Sequence, residues 1–151
     1  QIEPAIQLYR SYYKEKGVYE AQLFPQIKEI LAELAQQYPL YITTTKNTPT
    51  AVHMTTHFEI DHFFGGIYGS SPQAVHKADV IRQALASHNL DPEKVVLIGD
   101  TKFDMIGAQE TGLKKLAVTW GFGDERDLMT YQPDWVAHQP VDILRQLQSK
   151  T

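Results

Sequence analysis

The chain contains no cysteine, no long apolar run and no cluster of basic residues. The absence of cysteine excludes disulfide bonds, thiolate nucleophiles and cysteine-based zinc sites, and it is compatible with the cytoplasm, where we expect the protein to reside. No apolar segment approaches the roughly 18 residues that a membrane-spanning helix needs. The formal net charge is −4, whereas nucleic-acid binders usually carry a basic patch. We therefore expect no nucleic-acid or membrane partner, and the sequence predicts no particular oligomeric state.

The apolar content is sufficient for one compact domain, since 42% of the 151 residues are hydrophobic. From Leu40 onward, short apolar runs alternate regularly with segments of helical periodicity. Such alternation predicts an α/β fold, in which a parallel sheet carries helices on both faces. Before this region, residues 4–16 and the amphipathic segment 24–34 are predicted to form two helices. The pattern thus divides the chain into a helical part, 1–38, and an α/β part, 39–151.

One predicted strand ends in an acidic pair. Residues 95–98 form a short apolar run that stops at Gly99-Asp100, and Asp104 follows one helical turn later. In open α/β sheets, chemistry takes place just outside the carboxyl ends of the strands. Two carboxylates there suit Mg²⁺, which prefers oxygen ligands and phosphate partners. The alternative is that Asp100 only caps the next helix, a common role of aspartate.

Other polar residues follow the neighbouring strands. Thr43, Thr44 and Thr45 stand at the carboxyl end of an earlier strand, and Lys77 opens the helix after the next one. Because parallel strands direct their carboxyl ends to the same rim, we expect these groups to meet Asp100 there. Hydroxyl, ammonium and metal-binding carboxylates together suit a phosphoryl group, since they offset its charge and donate hydrogen bonds to it. Each residue alone also has a purely structural explanation.

In the order of these parts, the sequence resembles the haloacid dehalogenase-like (HAD) superfamily, and most closely its phosphoglycolate phosphatase-like branch. The family's second motif is an apolar strand ending in Ser or Thr, matched by residues 40–46. Its third motif is a lysine, matched by Lys77, and its fourth is Gly-Asp-x-x-x-Asp, matched by residues 99–104. Residues 1–38 are similar to the end of the family's helical cap. The resemblance implies a HAD-like Rossmannoid core over 39–151, preceded by part of a cap.

The resemblance also implies an activity and a cofactor. It implies a Mg²⁺-dependent hydrolase of phosphate monoesters, acting through an aspartyl-phosphate on a small phosphorylated metabolite. Asp100 would ligate Mg²⁺, and Asp104 would support the metal site directly or through water.

For the phosphoryl group, the resemblance implies one hydroxyl and one ammonium. We favour Thr44 as the hydroxyl that holds a phosphate oxygen, because it stands two residues before Lys46, as in phosphoglycolate phosphatase-like sequences. Thr43 is the alternative, and Thr45 is a further phosphate-binding candidate. Lys77 would steady the phosphoryl group and the negatively charged nucleophile.

The sequence departs from the family at the first motif, Asp-x-Asp, which supplies the nucleophile and the general acid/base. No Asp-x-Asp occurs in the chain, and Asp61 and Asp124 stand in the wrong context. Since the family places that strand in the centre of the sheet, we expect a gap there that would impair packing. We therefore expect the chain to be the carboxyl-terminal part of a longer phosphatase and to be inactive by itself.

Other functions stay open at this point. A non-catalytic HAD-like domain that binds phosphate or a protein is one alternative, and a sugar-phosphate mutase is another. His53 and His57 are spaced to bind zinc, but Met54 stands where the usual Glu would follow the first His. A polar helix face is the simpler interpretation. Tyrosines could line a substrate pocket, although packing is the commoner role of aromatic residues: Tyr9, Tyr12, Tyr13 and Tyr19.

Overall fold

The computed structural model describes residues 26–120 and 124–148, together with the backbone of three short strands nearer the amino terminus. The strands are β1 (Ala5–Leu8), β2 (Tyr13–Lys16), β3 (Glu20–Leu23), β4 (Leu40–Asn47), β5 (Gly66–Ser70), β6 (Val95–Gly99), β7 (Lys114–Val118) and β8 (Trp135–Ala137). The α-helices are α1 (Ile27–Gln37), α2 (Thr48–His57), α3 (Lys77–His88), α4 (Lys102–Thr111), α5 (Glu125–Thr130) and α6 (Pro140–Gln148).

Six of the described strands form one parallel sheet, in the order β5-β4-β1-β6-β7-β8. Strands β2 and β3 form a separate antiparallel pair. All six carboxyl ends of the main sheet therefore point to the same rim. Along the described parts of the chain, no helix has both the length and the apolar character needed to cross a bilayer.

Helices cover both faces of the sheet, and each face has its own apolar core. On one face, α1 and α6 pack over β4, β6 and β7 through a cluster that includes Ile42 and Ile98. On the other face, α3 and α4 pack over the same strands through Ile81 and Leu97, and Leu128 of α5 joins Met105 beside β7. Strand β6 is buried along its whole length, as its continuous apolar run predicts. The predicted α/β class is confirmed.

The elements from α1 onward follow the sequence patterns closely. Helix α1 buries the predicted apolar face, which consists of Ile27, Ile30, Leu31 and Leu34. Thr101 caps α4 with its side chain, and Gly112 ends that helix in a left-handed conformation, φ 79°. Asn47 caps α2, because its side chain accepts a hydrogen bond from the Thr50 amide.

The predicted helix over residues 4–16 is wrong for the residues that the structure describes. Residues 5–8 and 13–16 are strands, and β1 occupies the central position of the sheet, between β4 and β6. In the register, Leu8 lies beside Ile42 on one side and Ile98 on the other. Without β1, both neighbours would present unpaired backbone N–H and C=O groups in the middle of the sheet, which is costly. Tertiary pairing thus overrides the local helical pattern, and the expected central gap is filled.

Several predictions fall on residues outside the described part. Among them is the start of the predicted second helix, at residues 24–25. Tyr9, Tyr12 and Tyr19 also lie outside it, and only the backbone of Tyr13 is described.

Candidate active site

The buried polar side chains of the described chain concentrate at the carboxyl rim of the sheet. Six polar or charged residues are buried, and five of them are the predicted site residues Thr43, Thr44, Lys77, Asp100 and Asp104. The sixth, a threonine of α2, donates a hydrogen bond within its own helix. Burying polar groups costs free energy unless they are paired, so their concentration in one place indicates a functional site.

Lys77 carries a buried ammonium group between β4 and the first turn of α4. Its Nζ donates a hydrogen bond to the Thr43 carbonyl oxygen at 2.7 Å and lies 3.4 Å from Asp104 Oδ1. Burial lowers the pKa of Lys77 to about 8, while the negative charges of Asp104 and Asp100 oppose that shift. The side chain is therefore mainly cationic at neutral pH and is aimed at the rim.

Asp104 joins the first turn of α4 to the end of β6. Its Oδ2 accepts hydrogen bonds from the Asp100 amide, the Thr101 amide and the Thr101 hydroxyl, each at 3.1 Å. Burial raises the pKa of Asp104, and the Lys77 ammonium and the hydrogen bonds from Thr101 counter that rise. Both carboxylate oxygens are thus engaged, so Asp104 fixes the backbone that carries Asp100.

Two glycines allow this arrangement. A Cβ on Gly99 would lie 2.3 Å from Asp104 Cβ, so only glycine lets that carboxylate approach the end of β6. A Cβ on Gly107, in α4, would lie 2.7 Å from Lys77 Cγ. Contacts this short force atoms to move. Gly107 therefore provides the space in which the lysine stem passes between α3 and α4.

We predict that Gly107→Ala destabilises the protein by about 1–3 kcal/mol, as expected for overpacking. The new methyl group would meet the Lys77 stem and also Ile81 Cδ1, which lies 3.1 Å away. The free energy of unfolding in urea measures the effect. Gly65→Ala is the comparison and should cost less, because its shortest new contact, to Tyr41 Cε1, would be 3.1 Å, against 2.7 Å to Lys77 Cγ at Gly107. An equal or larger loss in Gly65→Ala would contradict a specific clash at Gly107.

The three threonines differ in their surroundings. Thr44 Oγ1 accepts a hydrogen bond from the Lys46 amide at 3.1 Å, so its own hydrogen can be donated to an incoming oxygen. Thr43 Oγ1 is fully buried and has no hydrogen-bond partner among the described residues. Thr45 is exposed and lines a neighbouring cavity. This geometry matches the hydroxyl role predicted for Thr44 and puts Thr43 below the surface.

The donor set at the rim is compatible with Mg²⁺. Asp100 is fully buried at the carboxyl end of β6 and offers hard oxygen atoms. Within the described residues, no group of three or more potential ligands from His, Cys, Asp and Glu gathers anywhere. Since both oxygens of Asp104 are engaged, Asp100 would be the better placed of the two to bind a metal directly. His53 and His57 are exposed on α2 and gain no further ligand among those residues.

A cavity of about 500 Å³ opens beside Lys77 and Asp104, between α3 and α4. Its lining includes Val75 and Phe103, which are large apolar side chains that remain 59% and 64% exposed. Sequence reasoning did not identify this cavity. The one available signal was an aromatic residue directly before the second acidic residue of the Gly-Asp-x-x-x-Asp motif.

Known proteins resemble this chain over most of its length. The family model for haloacid dehalogenase-like hydrolases matches residues 1–118. A 5'-nucleotidase from Pseudomonas aeruginosa is 36% identical over 148 residues, which cover 95% of this chain and 66% of the relative. A phosphoglycolate phosphatase from Yersinia pestis is 29% identical over 91% of this chain and 61% of the relative.

Solved structures show the same similarity. A haloacid dehalogenase-like family hydrolase from Streptococcus pneumoniae superposes with a TM-score of 0.84 and 64% identity, over 87% of this chain and 63% of that protein. The chain thus spans less than two thirds of the length of each relative named here.

Proposed function

This chain belongs to the haloacid dehalogenase-like hydrolase family, and on that basis we propose that the full-length protein hydrolyses phosphate monoesters with Mg²⁺. The observation that carries the proposal is the meeting of Thr44, Lys77, Asp100 and Asp104 at one rim, nearly fully buried. A buried ammonium, a hydroxyl donor and carboxylates in one place match the charge distribution of a bound phosphoryl group.

Lys77 and Thr44 would hold the phosphoryl group. The Lys77 ammonium would offset the negative charge on the phosphoryl oxygens and on an attacking carboxylate. Little free energy would be needed for reorganisation, because the cation is already in position. Thr44 would donate its hydroxyl hydrogen to a phosphate oxygen while it still accepts from Lys46. Thr45, at the edge of the cavity, would add a second polar contact to the phosphate.

Asp100 would bind the metal directly, and Asp104 would support the metal site indirectly. When bound, Mg²⁺ would offset the negative charge of the phosphate and of the attacking group. Asp104 would keep the Asp100 backbone and the Lys77 ammonium in place through its hydrogen bonds and ion pair, and would reach the metal through water.

The nucleophile is proposed to lie outside these residues. No Asp-x-Asp occurs in the sequence. Hydrolysis through an aspartyl-phosphate needs an aspartate carboxylate that can attack the phosphorus in line with the leaving oxygen. In the longer protein we propose that a strand carrying this carboxylate takes the central position that β1 occupies here. Residues 1–38 would then form the end of a helical cap, with α1 packed on the core that residues 39–151 form. The substrate would be a small phosphorylated metabolite of the cytoplasm, and the relatives' names offer a 5'-nucleotide or phosphoglycolate.

Phosphate release tests this proposal. We expect the full-length protein to hydrolyse at least one phosphate monoester with Mg²⁺ and to lose that activity in EDTA. The 151-residue chain, assayed alongside at the same concentration, should show none. Turnover by the 151 residues alone would contradict the external nucleophile. A folded full-length protein that hydrolyses no monoester would instead favour a phosphate-binding domain.

A further inference from the structure

We propose that the cavity between α3 and α4 receives the leaving group of the substrate and selects an uncharged group with an aromatic face, such as a nucleoside. This inference rests on the proposed function and narrows its substrate class. It favours a nucleoside monophosphate over an ester whose leaving group carries a second anion, such as phosphoglycolate.

The cavity lies directly beside the phosphate-binding groups. Lys77 and Asp104 line it on one side, and Thr45 and Thr101 line it towards the rim. Its volume of about 500 Å³ lies within the range of small-molecule sites in proteins. A phosphoryl group held by Lys77 would therefore place its ester substituent at the mouth of this cavity.

The mouth of the cavity is apolar. Only four large apolar side chains are exposed among the described residues, and two of them, Val75 and Phe103, line this cavity. Val75 stands two residues before Lys77, and Phe103 directly precedes Asp104. The Lys102 ammonium lies 5.5 Å from the centroid of the Phe103 ring. An exposed ring beside a polar site provides a stacking surface for a flat ligand.

The part of the cavity that lies farther along α3 and α4 is acidic on balance. Arg82 is paired with Asp79, with 3.4 Å between Nη1 and Oδ1, and Lys77 is paired with Asp104. Glu110 also lines the cavity and adds a further negative charge that these two pairs do not offset. A second anion on the leaving group would be repelled there. Neutral groups that donate hydrogen bonds, such as ribose hydroxyls or a base amine, would be accepted by the carboxylates.

The length of the cavity also suits a nucleoside. Along α4 the lining residues extend from Phe103 to Glu110, seven residues later, and along α3 from Lys77 to Arg82. Seven residues of helix correspond to about 10 Å. A two-carbon leaving group would leave most of this length empty, whereas a sugar and a base would occupy it.

Substrate ratios in the full-length protein test the inference. We expect kcat/KM for adenosine 5'-monophosphate to exceed that for 2-phosphoglycolate, and Phe103→Ala to lower this ratio by about tenfold, a typical loss on removing one base-stacking ring. Phe103→Leu, which keeps apolar volume but not the ring face, should also lower it if the alanine variant does not fold. Glu110→Gln should lower the ratio by improving phosphoglycolate hydrolysis, more so at low salt.

Val52→Ala is the control, because it removes an exposed apolar side chain on α2 away from the cavity. An unchanged ratio in both Phe103 variants would overturn the inference, as would equal losses on both substrates, which would mean that another part of the protein covers Phe103. If the wild-type protein hydrolyses neither ester, the proposed function fails. In that case the dissociation constants of adenosine 5'-monophosphate and 2-phosphoglycolate, measured by calorimetry in the wild-type protein and in Phe103→Ala, still test the inference through their ratio.

Discussion

Replacing Lys77 with methionine in the full-length protein is expected to lower kcat by about 10²–10³, the usual cost of removing one pre-positioned group that stabilises transition-state charge. Lys77 is the buried cation at the rim, and its Nζ is fixed by the Thr43 carbonyl oxygen and the Asp104 carboxylate. Methionine preserves the length of the stem between α3 and α4 but removes the charge. Single-turnover phosphate release at saturating substrate measures the change.

Loss of stability must be separated from loss of catalysis in this variant. Removing Lys77 leaves the Asp104 carboxylate buried without its ion pair, which can cost about 3–5 kcal/mol. Lys77→Met combined with Asp104→Asn removes both charges and should recover part of the unfolding free energy, but not the activity. A folded Lys77→Met protein that retains kcat within about fivefold, far less than the loss of an electrostatic group, would show that this lysine is not the third motif.

Replacing Asp100 with asparagine is expected to lower activity by a similar factor, about 10²–10³, and to raise the Mg²⁺ concentration needed for half-maximal rate. Asparagine has nearly the same shape but lacks the charge that a hard cation requires. The measurement is a Mg²⁺ titration of initial rates, with substrate held well above KM.

Asp127→Asn is the matched control for Asp100→Asn, because Asp127 is exposed on α5 and the charge change is identical. The Mg²⁺ dependence of this control should follow the wild-type protein. If Asp100→Asn also keeps the wild-type rate and Mg²⁺ dependence, Asp100 has no part in the metal site.

The strands and helices around the site could be predicted from sequence because their signals are local. The continuous apolar run of β6, the polar residues at its end and the glycine after α4 each specify a strand, a rim or a helix end within a few residues. Since parallel strands share one rim, the meeting of Lys77 and Asp100 followed from topology alone.

Other features depend on contacts that no local pattern records. A helix is predicted over residues 4–16, yet pairing with β4 and β6 makes residues 5–8 a strand. Glycine is required at position 107 only because the Lys77 stem packs against it from a separate helix. Likewise, no local pattern specifies that Val75 and Phe103 stay exposed beside one cavity.

The most direct test of the account is to trap the covalent intermediate. The full-length protein is mixed with substrate and Mg²⁺, quenched, and treated with borohydride, which reduces an acyl phosphate on aspartate to homoserine. Peptide mass spectrometry then locates the reduced residue. We expect homoserine at an aspartate outside these 151 residues, with Asp100 and Asp104 unmodified. Homoserine at any aspartate within this chain would contradict this expectation, as would turnover that leaves no reducible intermediate.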